Sequence, residues 1–224
     1  MLPAMEMGLR ERKKQQTRQL IADTAWRLFA DRGFERVTVV EIAREAQVAV
    51  ATVFNYFPTK EDLFFYRLEA FGAQLVEAVS ERPAGEPALA AFRRALMGSG
   101  GLLALAQAGD HQALERLRTV NRVTAASPAL QAREQLAMAR NADALAALLA
   151  AETGAPADDL GPQVAANALI GVQRALVDHT RRRVLADEEP ARLAADLRGL
   201  AERSFARLER GLGDYAPKPA PAGT

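Results

Sequence analysis

Residues 46–63 read AQVAVATVFNYFPTKEDL, and the punctuation of this stretch decides the fold. Gln47 and Val48 interrupt one helical pattern, and a short helix follows over Ala49–Tyr56. Pro58 ends it, because proline cannot continue the hydrogen-bond ladder and restricts Phe57 before it. Thr59 with Asp62 three positions on forms a capping box, which opens a long amphipathic helix to about Val79. Upstream the same grammar repeats. Thr38 and Glu41 form a second capping box, and Ile42, Ala43 and Ala46 face inward from the helix they open. Gly33 stands where a left-handed C-cap closes a first helix, Gln15–Arg32, whose Ile21, Ala25, Leu28 and Phe29 make one apolar stripe. Three short helices, the last two joined by a tight turn, describe a helix-turn-helix whose final helix can enter a major groove.

The rest of the chain is of the same class. Ala, Leu, Glu, Arg and Gln dominate, and Val37–Val40 is the only β-branched cluster, too short to argue for a sheet. Further helices are expected at Ala88–Ala108, His111–Thr124, Pro128–Glu152, Pro162–Ala186 and Pro190–Gly211, giving an all-α protein of about nine helices. Residues 1–14 read as a flexible basic arm, 15–60 as the helix-turn-helix, 61–212 as a helical body and 213–224, with Pro217, Pro219 and Pro221, as a disordered tail.

Composition narrows the function. The 224 residues are 49% hydrophobic and 25% charged, the balance of a globular protein. Net charge is only +1, yet residues 1–60 hold ten of the 29 Lys and Arg against seven of the 28 Asp and Glu, so a slight basic excess sits at the N-terminal end. Cysteine is absent, which removes disulfides, thiolate catalysis and cysteine-bound zinc. The two histidines, His111 and His179, have no metal-ligand spacing, and no cofactor site is expected. Gly98-Ser99-Gly100-Gly101 lacks the preceding strand and following lysine of a phosphate loop, and reads as a helix break. An enzyme is not expected. With neither a signal-peptide core nor an apolar run of spanning length, a cytoplasmic protein is the expectation.

The stretch 46–63, with Ile21, Ala25, Phe29, Gly33, Thr38, Ile42 and Ala43 in register before it, resembles the signature of TetR-type one-component transcriptional regulators. That signature reads A-G-V-S-x-G-T-x-Y-x-[HY]-F-x-[ST]-K-E-x-L. The resemblance implies a homodimer on a palindromic stretch of double-stranded operator DNA, with repression by promoter occlusion as the usual outcome. Carried over position by position, it implies phosphate contacts for Thr38, Thr52, Tyr56 and Lys60, to which the basic run adds Arg18. Val50, Ala51 and Asn55 take base-facing positions, with Val40 on the edge of the preceding helix.

Three departures bear on this. Gln47 replaces the turn glycine, so its backbone either avoids the left-handed region or accepts roughly 1 kcal/mol. Ala49 replaces the capping serine, also at about 1 kcal/mol. Phe54 replaces tyrosine and removes a phosphate hydroxyl.

For the body, the resemblance implies that the last two helices pair with those of a second copy, through Leu169, Leu176, Leu193, Leu197, Leu200 and Leu208. It also implies an effector cavity, for which Phe71, Asn121, Asn141, Asn167, Ile170 and Arg174 are candidates, beside Phe64 and Phe65 of the same helix as Phe71. Ser127–Arg133, S-P-A-L-Q-A-R, is similar to a subgroup whose effectors include acyl thioesters, so a small apolar effector is expected. The alternative keeps the same head on a body governed by a protein partner, or by no ligand.

Overall fold

The computed structural model describes residues 9–66, 69–98 and 110–218, and these contain ten helices. They are α1 (Leu9–Arg32), α2 (Val39–Glu45), α3 (Val50–Tyr56), α4 (Lys60–Phe65), α5 (Glu69–Ser80), α6 (Ala88–Gly98), α7 (His111–Ala125), α8 (Pro128–Thr153), α9 (Gly161–Leu185) and α10 (Pro190–Leu212). The chain divides into two compact units, Met1–Leu68 and Glu69–Thr224. No helix among the described residues is long and apolar enough to cross a membrane.

The head is α1–α4. Ile21, Ala25, Leu28 and Phe29 of α1 are all buried, and the Gly33 N–H closes the helix on the Phe29 carbonyl at 2.9 Å with φ +80°. Both capping boxes form, Thr38 with Glu41 and Thr59 with Asp62. Phe64 sits at the centre of an aromatic cluster, its ring centroid 5.4 Å from Trp26, 6.1 Å from Phe29, 6.1 Å from Phe34 and 5.2 Å from Phe65.

Three expectations change here. Phe64 and Phe65 are buried in the core of the head, so the head runs past Lys60 to the end of α4. The helix expected over Thr59–Val79 is described in two pieces, α4 and α5, with Tyr66 still in helical geometry and 67–68 outside the described residues. At the other end α1 begins at Leu9, so residues 9–14 of the expected flexible arm are helical. Good helix formers and local bonds, Gln15 Nε2 to Glu11 (3.2 Å) and Thr17 Oγ1 to the Lys13 carbonyl (3.0 Å), carry the turn outward.

In the body, α9 lies along α8 and α10. Leu75 and Val79 of α5, Phe92 of α6, Leu145 and Leu149 of α8, Ala166 and Leu169 of α9 and Phe205 of α10 form the main core. The breaks between helices follow the sequence signals: Ser127 caps α8, Gly154 ends it at φ 64°, and Pro128, Pro162 and Pro190 occupy first turns. The last ten residues expected for the helix Ala88–Ala108, 99–108, lie outside the described residues, as does the expected helix break at 98–101 beyond Gly98.

The tail to Lys218 is ordered, against expectation. Pro217 bridges Pro87, the Gly85 N–H donates to the Lys218 carbonyl (2.9 Å), and the Lys218 N–H donates to the Glu86 carbonyl (3.2 Å). Arg82, between α5 and α6, helps to fasten it. Its guanidinium is fully buried and meets Glu152 of α8 at 2.6 Å, the Glu86 carbonyl at 2.9 Å, the Ala216 carbonyl at 2.9 Å and the Val79 carbonyl. A buried cation needs all of these partners, and one of them is the tail.

Arg82→Met should therefore cost about 3–5 kcal/mol, the range for breaking a buried pair. In a chain of this size that is a drop of roughly 6–20 °C in the melting temperature. Removing residues 214–224 takes away one acceptor and should cost less. Unchanged thermal melts in both variants would show that Arg82 is not the fastener.

Candidate nucleic-acid interface

Val53 is the only fully buried residue of α3 and fixes which way the helix faces. With Val53 inward, the 100° step places Ala51, Phe54 and Asn55 on the exposed side, with Val50, Thr52 and Tyr56 at its half-buried margins. On α2, Val40 is 63% exposed and Arg44 is also exposed. The exposed side chains of α2 and α3 thus include three apolar ones, Val40, Ala51 and Phe54 (49% exposed), with the amide of Asn55 and the guanidinium of Arg44. Such a surface suits thymine methyl groups and one adenine edge.

The turn before α3 is tight. Gln47 takes the left-handed conformation, φ 56°, so it accepts the strain that glycine would avoid; its N–H donates to the Arg44 carbonyl (3.1 Å) and the Val48 N–H to Ala43 (3.0 Å). Ala49 makes no side-chain cap, as its identity dictates.

The expected phosphate contacts are placed unequally. The Thr38 hydroxyl donates to Glu41 Oε2 (2.9 Å) and accepts from the Glu41 N–H (3.2 Å), so it serves the capping box. Bonds from the Thr38 backbone and hydroxyl, with Arg32 and Arg44 nearby, hold the Glu41 carboxyl below the usual carboxylate range. Arg18 does not point to solvent. Its guanidinium carbon lies 4.5 Å from the Tyr66 ring centroid and 5.4 Å from that of Phe57. Lys60 Nζ donates to the carbonyls of Phe34 (3.0 Å) and Val37 (3.3 Å) and lies 4.1 Å from the Phe34 ring centroid. Both cations make contacts within the head, and Lys60 keeps one of its three N–H donors beyond the two bonds to Phe34 and Val37. Sequence reasoning passed over Lys13, Lys14 and Arg44 as individual contacts, although the basic run contained the first two.

The body scatters the expected effector residues. Phe71 packs on the main core and Ile170 is part of it. Asn121 is buried and donates to the Leu117 carbonyl (2.8 Å). Asn141 Nδ2 lies 2.1 Å from where a Cβ on Gly72 would stand, so a side chain at residue 72 would displace the Asn141 amide. Asn167 and Arg174 are exposed on α9, with Asn167 bonded to the Gln163 carbonyl (2.8 Å), and do not join the others. Beside that set stand Gln173, whose place among the apolar residues of α9 the sequence already singles out, and Thr124, which it does not; they are 5% and 1% exposed, and their Oε1 and Oγ1 are buried without a hydrogen-bond partner. The helical offsets Leu117–Thr124 and Leu169–Gln173 put each on the buried face of its helix, a signal the sequence did carry.

Of the six leucines expected at a dimer interface, Leu169 and Leu193 are buried within the single chain, the first in the main core and the second against Leu117 and Val184. Leu176 and Leu208 are half-buried against the main core, Leu197 against the smaller cluster, and Leu200 is half-buried. Val164 (61% exposed) and Leu160, at the start of α9, were not foreseen.

Comparison with known proteins meets this geometry at both ends of the chain. The profile "Bacterial regulatory proteins, tetR family" matches residues 21–66, and "MftR C-terminal domain" matches 86–213. The HTH-type transcriptional regulator TcmR of Streptomyces glaucescens is 33% identical over 157 residues, 68% of this chain and 67% of TcmR. The putative mycofactocin biosynthesis regulator MftR of Mycobacterium tuberculosis is 29% identical over 171 residues, 76% of this chain and 83% of its own. Among solved structures, the SmeT–triclosan complex aligns over 93% of this chain and 99% of SmeT with a TM-score of 0.55 and 19% identity. NalD of Pseudomonas aeruginosa aligns over 86% and 96% at 0.54 and 22%, so the fold is shared along nearly the whole chain. With a helix-turn-helix facing outward, a body matched over more than half the sequence, and a regulator one-third identical across two-thirds of both chains, this chain belongs to the TetR family of DNA-binding transcriptional regulators.

Proposed function

We propose that this regulator is a repressor that binds a palindromic operator as a homodimer and is released by a small apolar effector held in the body. The observation that carries the reading is the outward face of the head, where Val40, Phe54 and Asn55 are exposed while Val53 anchors α3. Val50, Ala51 and Thr52 complete the surface that enters the groove, with Tyr56 at its edge. Repression follows from occupancy, since a bound dimer occludes the promoter. Asn55 is the residue whose amide can bond an adenine edge, and one such pair discriminates by about 1–3 kcal/mol.

Dimerisation is assigned to the outward sides of α9 and α10. Val164 contributes exposed apolar area there, and Leu176, Leu197, Leu200 and Leu208 support it from their half-buried positions. The effector site is assigned to the buried faces of α7, α8 and α9. Thr124 Oγ1 and Gln173 Oε1 ask for a hydrogen-bond donor, because a buried polar atom left unpaired costs about 1–3 kcal/mol. SmeT, which shares this fold, is solved in complex with triclosan, and a small apolar ligand carrying a hydrogen-bond donor would meet the requirement here.

Asn55→Ala should relax base preference at one position of each half-site and leave binding to unrelated DNA unchanged; a complete operator substitution series measures it, and an unaltered preference would remove Asn55 from the reading surface. Val164→Arg should split the dimer without unfolding the chain, since the side chain is already exposed. Sedimentation at micromolar concentration decides, and an intact dimer would move the interface elsewhere. For the effector, apolar compounds bearing a hydroxyl or amide, with long-chain acyl thioesters beside them, are screened for release from the operator. A true effector should weaken operator binding by about 5–150-fold, and Gln173→Leu should blunt the response. A compound that raises the melting temperature but leaves operator binding intact would uncouple the site from the switch.

A further inference from the structure

We propose that the corner of the body between α5 and α6 is a peptide-docking site, filled by the chain's own Tyr215–Lys218 segment, and that this segment is a clasp able to leave and rebind while the helices stay folded. The segment is held as a bound peptide is, through its backbone. Arg82 has five N–H donors, and all five are used: Nε on the Glu86 carbonyl, Nη1 on the Val79 carbonyl and Glu152, Nη2 on Glu152 and on the Ala216 carbonyl at 2.9 Å. Only the last of these bonds reads the segment. The Gly85 N–H donates to the Lys218 carbonyl (2.9 Å) and the Lys218 N–H to the Glu86 carbonyl (3.2 Å), beside the antiparallel Pro87–Pro217 bridge. Adding an extended stretch of chain to a free backbone edge in this way is a recurring mode of peptide recognition. Side chains supply the address. Tyr215 packs on the main core, its hydroxyl 3.2 Å from where a Cβ on Gly161 would stand. The Lys218 ammonium donates to the carbonyl of Ser80, the last residue of α5, where the helix dipole is negative.

Three features set the segment apart from the helices it closes. Gly213 and Asp214 alone connect it to the end of α10 at Leu212. Its backbone is bonded by residues 82–86, in the loop after α5, so opening it breaks none of the helical hydrogen bonds. Ala216 is held at φ +49°, a left-handed geometry that a residue with a side chain keeps only where its surroundings over-determine it. Opening releases that strain. The two-residue tether acts in the other sense, because it keeps the segment at an effective concentration in the millimolar range. The site is therefore filled from its own chain, and a free copy of the segment gains entry only when the tethered one is weakened.

A labelled, end-capped peptide with the sequence of Gly213–Lys218 is titrated into the full-length chain and into its Tyr215→Ala variant, whose tethered segment has lost its anchoring ring. The variant should bind the peptide at least about 10-fold more tightly than the unmodified chain, where the tethered copy holds the site. N-methylation of the peptide at Lys218 removes the N–H given to Glu86 and should weaken binding by about 3- to 10-fold. Equal affinity for the two chains, equal affinity of the plain and methylated peptides, or binding to neither chain overturns the docking site. Should the variant not fold, hydrogen exchange in the unmodified chain decides. The Gly85 and Lys218 amides, which join loop and segment, should exchange at least about 10-fold faster than those of Leu145 and Leu149 in the main core. Exchange of all four only on global unfolding overturns the clasp. Neither measurement involves DNA or an effector, so the outcome is independent of the operator docking proposed above.

Discussion

A helix of seven residues cannot hold its own shape in water, because nucleation fixes several dihedral angles before the first hydrogen bond is gained. The reading helix α3 is that short, and Ala49 gives it no side-chain cap. Everything that keeps it helical and correctly turned must come from the rest of the head. Val53 is fully buried, Phe57 closes the last turn and is itself buried, and the aromatic cluster around Phe64 holds α4 against α1 so that α3 is gripped between fixed neighbours. The head therefore buries a large share of its aromatic residues to hold a helix that contributes one side chain to the core.

Local costs in the turn show the same dependence. Gln47 stands in left-handed geometry that costs a non-glycine residue about 1–2 kcal/mol. Glycine there would remove the strain but would loosen the turn in the unfolded chain as well. The strained turn persists because Ala46 is buried ahead of it, Val48 is half-buried after it, and both peptide N–H groups find carbonyls on α2. Tertiary packing over-determines the position, the condition under which backbone strain survives.

What the sequence made legible follows from how far each signal reaches. Helix class, the two capping boxes, Gly33, Pro58 and the apolar stripe of α1 are local signals, and the helices stand where they indicate. Signals that need a partner far along the chain were not legible. Arg82 carries no local sign of its role because its partners are Glu152 and Ala216, 70 and 134 residues away, and the tail looked disordered because its prolines give no sign of the contacts with Arg82, Gly85 and Glu86 that fasten it. Leu169 and Leu193 have the helical spacing of an interface, yet spacing gives a face without saying which neighbour covers it. Arg18 and Lys60 had the charge expected of phosphate contacts. Charge does not reveal an aromatic pair or a free carbonyl nearby, and both side chains meet such local partners.

The charge balance then constrains how such a regulator can be selective. With a net charge of +1, the chain as a whole offers DNA almost no attraction, so electrostatic affinity must come from a few cations in the head. Arg18 meets two aromatic rings within the head, and Arg27 and Arg32 pair with Glu45 and Glu41. Weak non-specific binding favours discrimination, because a regulator loosely held on random sequence is easily lost to its operator. It also places a limit on one head alone, whose apolar reading surface and single exposed amide supply only a few kcal/mol of preference. In the proposed dimer the second head binds at the high effective concentration set by the first. Whatever alters the spacing between the two heads then removes that gain in operator affinity, while the contacts each head can make by itself stay the same.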